Sequence, residues 1–465
     1  MKKKTEHLKK RVMRQVKSAW DQYSTGEKKK VFAFGDKYKE LLNEVKTERE
    51  MVEWLVNQVE KNGFVSSKRK GKKFYMVNRA KCLAIAITGR KPLSEGVRLI
   101  ISHIDSPRLD LKPNPLYEET NLALLRTHYY GGIKKYQWTS IPLSLHGIII
   151  KTDGKKIKIN IGENLKEPAF TIADLLPHLS RKVQSEKKLS EAIEGEKLTL
   201  LAGSIPFPDE KEKMRVKLAI LEMLNKRYGI KEEDFISGEI EAVPAFAARD
   251  IGFDRGLLGG YGQDDRVCAY TSFRAINEIE SPEHSTLVLF VDKEEIGSAG
   301  ATGAQSQFLI DCIKEIIVRK EKTSNFGRIR EVINGSKALS ADVNAAINPN
   351  YQTVLEKMNA AKLGFGVVLI KYTGGGGKYG TNDASAEFLS EIRYLFNKNK
   401  VIWQTGELGK VDEGGGGTVS QYIAQYGIET VDCGTPVLGM HSPFEISSKA
   451  DVYETFKAYR VFLKS

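Results

Sequence analysis

The sequence contains little cysteine, with four residues in a chain of 465: Cys82, Cys268, Cys312 and Cys433. They lie far apart and form no C-x-x-C pair, so the pattern supports neither a disulfide framework nor a zinc knuckle. Scattered single cysteines are typical of reduced, mostly buried side chains in a cytosolic protein. We therefore expect a cytoplasmic protein held together by its hydrophobic core.

Long hydrophobic runs are also missing. No apolar stretch reaches the length that a membrane crossing needs. The N-terminus, MKKKTEHLKKRVMRQVKSAW, is basic but lacks the apolar centre of a signal peptide. Hydrophobic residues make up 41% of the chain and charged residues 28%. This is the balance of a soluble globular protein, and the length predicts two or more domains and no membrane partner.

Acidic residues are outnumbered, and the formal net charge is +13. Such an excess invites a nucleic-acid interpretation. Its distribution argues against one, because residues 1–30 alone hold eleven Lys and Arg against three Asp and Glu. A basic, solvated N-terminal helix explains this segment, and we do not expect a nucleic-acid partner.

The chain changes character twice along its length. Residues 1–62 show apolar residues at helical spacing, with Gly63 near the stop, and short apolar runs follow up to about residue 113. Residues 114–243 carry alternating patterns, with a hairpin turn predicted at Asp153 and Gly154. From residue 244 onward, strands alternate with helices, which favours an α/β sandwich with a largely parallel sheet. We predict a catalytic domain formed by residues 1–113 and 244–465, interrupted by a mostly β domain at residues 114–243.

The stretch at residues 286–303, TLVLFVDKEEIGSAGATG, is the most informative segment. Its apolar run at residues 287–291 predicts a buried strand. Glu294 and Glu295 follow directly, and adjacent side chains in an extended segment point in different directions. One carboxylate can therefore face a metal ion while the other faces a water on that ion. A solvated acidic loop is the alternative interpretation.

Similar polar residues follow other apolar runs: His103 with Asp105, Asp342, and His441. Asp264 or Asp265 instead opens a predicted helix after a glycine-rich turn. In open α/β sheets, ligands gather beyond the carboxyl ends of the strands, so these residues are expected to converge. Taken singly, each histidine could be a core residue and each aspartate a helix cap.

As a set, two histidines and three carboxylates are suited to zinc, cobalt or manganese rather than to a thiolate site. The spacing of His103 and Asp105 also suits the arrangement in which a carboxylate accepts the other imidazole N–H, because residues i and i+2 share a strand face. The sequence therefore predicts a site for two divalent ions, with zinc first and cobalt or manganese as alternatives.

Six segments in order along the chain together resemble the aspartyl aminopeptidase family of dinuclear zinc metallopeptidases, which includes vacuolar aminopeptidase I. They are SHIDSPRLDLKPNP, YYGGI with Trp138 downstream, GQDDR, DKEEIGS, SADVNAAINPNY and VLGMHSPFE. The resemblance covers nearly the whole chain. It implies a three-layer α/β/α catalytic domain interrupted by a dimerisation domain, and assembly through dimers into a tetrahedral dodecamer.

The resemblance also implies roles for individual residues. One ion would be held by His103, Asp264 and Asp342, and the other by Asp264, Glu295 and His441, with Asp264 shared. Glu294 would be the general base and acid that takes a proton from a bridging water and returns it to the leaving amine. Asp105 would be a second catalytic residue, whose carboxylate accepts the other imidazole N–H of His103. A cis peptide bond between Asp264 and Asp265 is a further expectation.

Substrate recognition depends on two positions that match the family less directly. Lys371 corresponds to a lysine that meets an acidic side chain, so the resemblance implies a preference for N-terminal Asp or Glu. The alternative interpretation is that Lys371 lies at the end of a strand with its charged group in solvent. His128 matches a loop of the inserted domain that reaches a neighbouring subunit's site, or it belongs to a plain turn. The sequence departs from the family pattern at Asp265, where asparagine is usual, and at Asn344 and Asn348, where histidines are usual.

The glycine run at residues 414–417 precedes a predicted helix. We expect its amides either to line the substrate cleft or to form a flexible connection. No Lys-Ser/Thr pair follows it at the spacing of a phosphate-binding loop.

Three other functions remain open at this point. The first is a related dinuclear aminopeptidase with neutral or broad specificity, which an assay across N-terminal residues would distinguish. The second is a non-catalytic assembly protein with the same fold. The third is a basic nucleic-acid binder, which would require salt-dependent binding of RNA.

Overall fold

The computed structural model describes residues 2–14, 16–323 and 325–465. The α-helices of these ranges are α1 (Lys2–Val12), α2 (Ala19–Gln22), α3 (Thr25–Glu44), α4 (Glu48–Lys61), α5 (Pro177–Ser180), α6 (Leu189–Ala192), α7 (Arg215–Tyr228), α8 (Gln263–Asn277), α9 (Phe308–Glu321), α10 (Phe326–Gly335), α11 (Ala386–Lys398), α12 (Ser420–Ala424) and α13 (Lys449–Lys464).

The β-strands of the same ranges are β1 (Val65–Ser66), β2 (Lys73–Asn78), β3 (Cys82–Ile87), β4 (Val97–His103), β5 (Arg108–Glu119), β6 (Leu122–Tyr130), β7 (Leu143–Ile150), β8 (Lys156–Ile161), β9 (Thr199–Gly203), β10 (Gly238–Pro244), β11 (Arg249–Ile251), β12 (Leu257–Gly260), β13 (Ser285–Val291), β14 (Lys337–Ser340), β15 (Asn344–Ala345), β16 (Val367–Ile370), β17 (Trp403–Thr405), β18 (Glu429–Gly434), β19 (Pro436–Leu438) and β20 (Glu445–Ser448).

The N-terminal region is helical, as the apolar spacing predicts. Ser24 and Thr47 are the N-cap residues of α3 and α4, and each forms a capping box with the glutamate three residues further on. Gly63, just beyond α4, has a φ of +80°, which a residue without a Cβ adopts at low cost. The basic α1 is exposed along residues 4–12, as expected of a solvated helix.

A nine-stranded sheet forms the centre of the larger layered region, in the order β1-β2-β3-β13-β4-β14-β18-β16-β17. The strands β13, β4, β14 and β18 lie side by side and run parallel. The strand β3 pairs antiparallel with β13, and β16 pairs antiparallel with β18. The sheet is therefore mixed with a parallel centre, which confirms the predicted α/β class.

Helices cover both faces of this sheet. Alternate residues of a strand point to opposite faces. In β13, Val288 and Phe290 pack into a core with α3, α4, α8 and α13, whereas Leu287 and Leu289 pack into a second core with α9 and α10. Three layers, helix, sheet and helix, follow from these two buried faces.

The strands between residues 108 and 244 form a separate sheet in the order β8-β7-β10-β5-β6-β9. It has its own core, which contains the fully buried Trp138 and side chains of α7. The strands β7 and β8 pair antiparallel around the predicted turn at Asp153 and Gly154. Because β5 begins at Arg108, this sheet starts before the predicted boundary at residue 114, and the division into domains stays a prediction.

A small five-stranded sheet, in the order β11-β12-β20-β19-β15, ties together segments from distant parts of the chain. The strand β12 ends shortly before Asp264, β15 begins shortly after Asp342, and β20 begins shortly after His441. Pairing of β12 with β20 sets Gly260 opposite Glu445. This sheet therefore brings three candidate site segments to one place.

Two predictions from the composition can be compared with the fold. All four cysteines are buried and unpaired. Among the described helices, none combines the length and the apolar character that a membrane crossing requires.

Candidate metal centre

The candidate residues gather at one edge of the nine-stranded sheet. His103 is the last residue of β4, Glu294 and Glu295 follow β13, and Asp342 follows β14. These strands are parallel neighbours, so their carboxyl ends lie at the same edge. His441 reaches this edge from the segment between β19 and β20. The apolar runs that predict the strands thus also predict where the polar residues meet.

Asp264 lies between the two histidines. Its Oδ1 is 3.1 Å from Nε2 of His103, and its Oδ2 is 3.2 Å from Nε2 of His441. Burial alone would raise the pKa of Asp264, but the two imidazoles lower it below its usual value. The peptide bond between Asp264 and Asp265 is cis. A carboxylate in this position can serve as a ligand to two ions at once.

On the His103 side, two further carboxylates approach the imidazole. Nε2 of His103 is 3.8 Å from Oδ1 of Asp342. Asp265 belongs to the same group, since donor atoms of His103, Asp265 and Asp342 lie within 4.8 Å of one another. The sequence leaves Asp264 and Asp265 as alternatives. The structure brings both to the site.

On the other side, Nε2 of His441 is 3.4 Å from Oε2 of Glu295. Donor atoms of His103, Asp264 and Glu295 also lie within 4.8 Å of one another. Burial raises the pKa of Glu295 well above its usual value, and the charge of Asp264 adds to this. The five candidate ligands therefore occupy one compact site rather than two separate places.

The residues at this site fit divalent ions. Oε1 of Glu295 is buried and has no hydrogen-bond partner in the described part of the chain. Buried carboxylates are costly unless they are paired or coordinate a metal. Imidazole nitrogens and carboxylate oxygens are the ligands that zinc takes in catalytic sites. The donor chemistry thus matches the metal that the sequence predicts.

Asp105 is fully buried and joins several parts of the site. Nδ1 of His103 lies 3.1 Å from its backbone oxygen and 3.3 Å from its Oδ1. Oδ1 accepts the backbone N–H of Glu294 at 3.1 Å, and Oδ2 accepts that of Glu295 at 3.2 Å. Burial alone would raise the pKa of Asp105, but His103 lowers it below its usual value. Asp105 therefore stays ionised and can orient the imidazole.

Glu294 lines a cavity of about 490 Å³ beside the cluster. Burial raises its pKa to about 8, with a further contribution from the charge of Asp342. Gly415, Gly416 and Gly417 line the same cavity, so the glycine run at residues 414–417 contributes to this cleft. A carboxyl group that titrates near neutral pH is suited to accept and return a proton.

The two candidate substrate contacts lie outside this cavity. Lys371 follows β16, and its side chain is exposed and lines a neighbouring cavity with Arg393 and Trp403. Ile370, one residue earlier, lines the cavity beside the cluster. His128 lies in β6 with an exposed side chain, and its Nδ1 is 2.9 Å from the backbone oxygen of Tyr129. Within this chain, neither side chain reaches the cluster.

The sequence does not predict the roles of two residues at the site, Glu445 and Tyr130. Glu445 is buried and accepts the backbone N–H of Asp264 at 3.1 Å and that of His441 at 2.8 Å. Tyr130 donates its hydroxyl to Oδ2 of Asp105 at 2.9 Å. Both residues lie within quoted motifs, but nothing in their spacing indicates these partners. Position in the motif was the only available signal.

The buried carboxyl groups predict how the stability of the metal-free protein depends on pH. Burial raises the pKa of both Glu294 and Glu445 to about 8, compared with 4.5 in an unfolded chain. Between these values the folded state binds more protons than the unfolded state, so stability falls as pH rises from about 4.5 to 8. Each unit of difference corresponds to about 1.4 kcal/mol.

Thermal unfolding of chelator-treated protein between pH 5 and pH 8.5 tests this expectation. The melting temperature should fall across the window, and saturation with Zn²⁺ should flatten the dependence, since positive charge favours the ionised carboxylates. Glu294→Gln should reduce the slope. A melting temperature that rises steadily over the same range would contradict the expectation.

The layered α/β fold and a donor set that fits divalent ions are compatible with a metal-dependent enzyme, and comparison with known proteins identifies the family. The family model described as "Aminopeptidase I zinc metalloprotease (M18)" matches residues 41–463. The chain belongs to the M18 family of aminopeptidases and is a peptide hydrolase.

Relatives and solved structures agree with this assignment. A probable M18 family aminopeptidase 1 of Clostridium acetobutylicum is 48% identical over 463 residues, which covers 98% of this chain and 99% of the relative. The crystal structure of the Thermotoga maritima M18 aminopeptidase is 48% identical, with a TM-score of 0.93, and the match covers 97% and 99% of the two chains. The mApe1 dodecamer of S. cerevisiae shares the fold at 21% identity, with a TM-score of 0.74 and coverage of 92% and 96%.

Proposed function

We propose that this protein removes the N-terminal residue of peptides with the help of two divalent metal ions. His103, Asp264 and Asp342 would hold one ion, and Asp264, Glu295 and His441 the other. The observation that carries this proposal is the position of Asp264, whose two carboxylate oxygens each face Nε2 of a different histidine. Zinc is the first candidate, with cobalt and manganese as alternatives that the same nitrogen and oxygen donors accept.

Divalent ions at such a site supply Lewis acidity, which makes a water a stronger acid and a peptide carbonyl a better electrophile. Glu294 then acts as the proton carrier of the reaction. It accepts the proton of the attacking water and donates it to the amine that leaves. Its position in the cavity wall beside the candidate ligands supports this role.

Asp105 contributes indirectly. It accepts the backbone N–H groups of Glu294 and Glu295 while it lies beside Nδ1 of His103. One carboxylate therefore orients a ligand histidine together with the segment that carries the proton carrier. Such partners orient ligands and increase their basicity.

The next question is which N-terminal residue of a peptide the enzyme prefers. An acidic preference is implied by Lys371, but this side chain lies in a neighbouring cavity. Among the described residues that line the cavity beside the cluster, there is no lysine or arginine. Apolar side chains contribute to its wall instead: Val343, Ile370, Leu408 and Met440. A single chain thus favours neutral N-terminal residues, and an acidic preference would require a cation from outside this cavity.

Hydrolysis of a panel of peptides that differ only in the N-terminal residue tests both points. We expect activity to disappear with a chelator and to return with Zn²⁺, Co²⁺ or Mn²⁺. We also expect kcat/KM to be higher for Leu or Met than for Asp or Glu, because apolar side chains line the described part of this cavity and no lysine or arginine there would pair with an acidic side chain. Lys371→Gln should leave this order unchanged.

Either of two results would revise the proposal. Full activity after complete metal removal would exclude the metal-dependent mechanism. A preference for Asp or Glu that disappears in Lys371→Gln would restore the acidic preference and show that Lys371 reaches the substrate.

The assembly and location are also proposals. The six-stranded sheet of residues 108–244 would mediate dimers, and the dimers would form a tetrahedral dodecamer in which His128 reaches a neighbouring subunit. Support comes from the S. cerevisiae dodecamer, which shares the fold. A mass in solution equal to the single chain of 52.0 kDa would contradict it. Four unpaired cysteines suit the reducing cytoplasm.

A further inference from the structure

The inserted six-stranded sheet contributes a side chain to the support of the metal centre. The strand β6 ends at Tyr130, and the Tyr130 hydroxyl donates to Oδ2 of Asp105 at 2.9 Å. Burial raises the pKa of Tyr130, and the nearby charge of Asp105 raises it further. The phenol therefore remains protonated and keeps its donor. Apart from His103, it is the one side chain that donates a hydrogen bond to this carboxylate in the described part of the chain.

The two residues that follow Tyr130 contact the other half of the site. The backbone oxygen of Gly132 lies 2.8 Å from Nδ1 of His441. Gly131 has a φ of +73°, and a Cβ at this position would lie 3.3 Å from Cβ of Glu295. Residues 130–132 therefore approach Nδ1 of both candidate histidine ligands. Gly132 contacts Nδ1 of His441 directly, and Tyr130 is linked to Nδ1 of His103 through Asp105.

Tyr130 is itself held by buried charges. The Arg108 guanidinium lies over the Tyr130 ring, 3.9 Å from its centroid. Arg108 also pairs with Asp110 at 2.8 Å and with Glu241 at 3.2 Å. Glu48 at the start of α4 lies 3.6 Å from the same guanidinium. The ring thus packs against a guanidinium that is held by carboxylates of the inserted sheet and of α4.

We propose that Tyr130 is a positioning residue through which the inserted sheet orients Asp105, and thereby His103 and the Glu294–Glu295 segment. This inference rests on the proposed metal-dependent function. It concerns the chain's own hydrogen bonds, which exist without the ions.

The physical consequence follows from the donors that Asp105 receives. Without the hydroxyl, Oδ2 of Asp105 keeps only the backbone N–H of Glu295, and a buried oxygen loses a charge-assisted hydrogen bond. The carboxylate can then rotate away from Nδ1 of His103. Loss of such a partner typically reduces metal affinity or activity by about 10- to 100-fold.

The test compares Tyr130→Phe with Tyr136→Phe. Tyr136 belongs to the same inserted region, is 42% exposed, and its hydroxyl has no hydrogen-bond partner in the ranges that the structure covers. Full-length proteins are freed of metal and titrated with Co²⁺, whose visible absorption reports ligand geometry. Melting temperature, kcat and KM are measured on the same preparations.

We expect Tyr130→Phe to bind Co²⁺ about 10-fold or more weakly, to change its absorption spectrum and to lower kcat, with KM nearly unchanged. Tyr136→Phe should match the wild type in Co²⁺ affinity, absorption spectrum, melting temperature, kcat and KM. If Tyr130 acts through Asp105, the double variant Tyr130→Phe/Asp105→Asn should bind Co²⁺ no more weakly than Asp105→Asn alone.

Two outcomes would overturn the inference alone. One is a Tyr130→Phe variant with wild-type Co²⁺ affinity, spectrum and kcat. The other is full additivity of the two substitutions, which would mean that Tyr130 does not act through Asp105. A wild-type protein that binds no Co²⁺ would instead overturn the proposed function and the inference together.

Discussion

Glu294→Gln is expected to lower kcat by about 10²- to 10⁴-fold, the usual contribution of a positioned acid–base group. Glutamine has nearly the same shape but cannot accept a proton from water. The candidate metal ligands His103, Asp264, Glu295, Asp342 and His441 remain, so the variant should still bind two equivalents of Zn²⁺. Steady-state kinetics on the peptide panel, together with metal analysis of the dialysed protein, measure both quantities.

A matched control separates loss of the carboxylate from the general effect of a Glu-to-Gln change. Glu387 lies on an exposed face in the first turn of α11, away from the cluster. Glu387→Gln should retain wild-type kcat. Near-normal turnover in Glu294→Gln would contradict the assignment of Glu294 as the proton carrier, whatever the metal content of the variant.

Asp264→Asn is expected to abolish both metal binding and turnover. Among the described residues, Asp264 is the one carboxylate in contact with both imidazoles, so its replacement by an amide removes a negative ligand from both halves of the site. Loss of metal distinguishes this variant from Glu294→Gln, which is expected to keep it. Zn²⁺ titration by calorimetry and hydrolysis of the preferred peptide provide the two measurements.

The control for this substitution is Asp153→Asn in the turn between β7 and β8. Asn-Gly suits a tight hairpin turn as well as Asp-Gly does, so this variant should fold normally and keep its metal. An Asp264→Asn protein that bound two ions with unchanged affinity would show that Asp264 is not a shared ligand. Asp265, which lies in the same buried group, would then be the next candidate.

Most of the candidate ligands could be predicted because of local patterns. His103, Glu295 and Asp342 follow short apolar runs, which form parallel strands whose carboxyl ends meet at one edge. His441 also follows an apolar run, and Asp264 instead opens a helix after a glycine-rich turn. The pairing of β12 with β20 explains how these two segments meet. Hydrophobic periodicity together with residue type therefore predicts which polar side chains lie at the ends of strands.

The direction of individual side chains could not be predicted in the same way. Lys371 directly follows the apolar strand β16, yet its side chain lines a different cavity from Ile370, because neighbouring residues at a strand end point to different sides. The hydrogen bond between Tyr130 and Asp105 joins the end of β6 to the segment between β4 and β5. No local pattern indicates such a contact.

By itself, the sequence determined the α/β class and the peptidase family and proposed a set of candidate ligands for divalent ions, because periodicity and residue chemistry are local properties. Only the tertiary structure decided which side chains face the common cavity, which buried groups orient the histidines, and how the inserted sheet contacts the site. Those features depend on packing between segments far apart in the chain, where the direction of each side chain is set by its three-dimensional neighbours rather than by its position in the sequence.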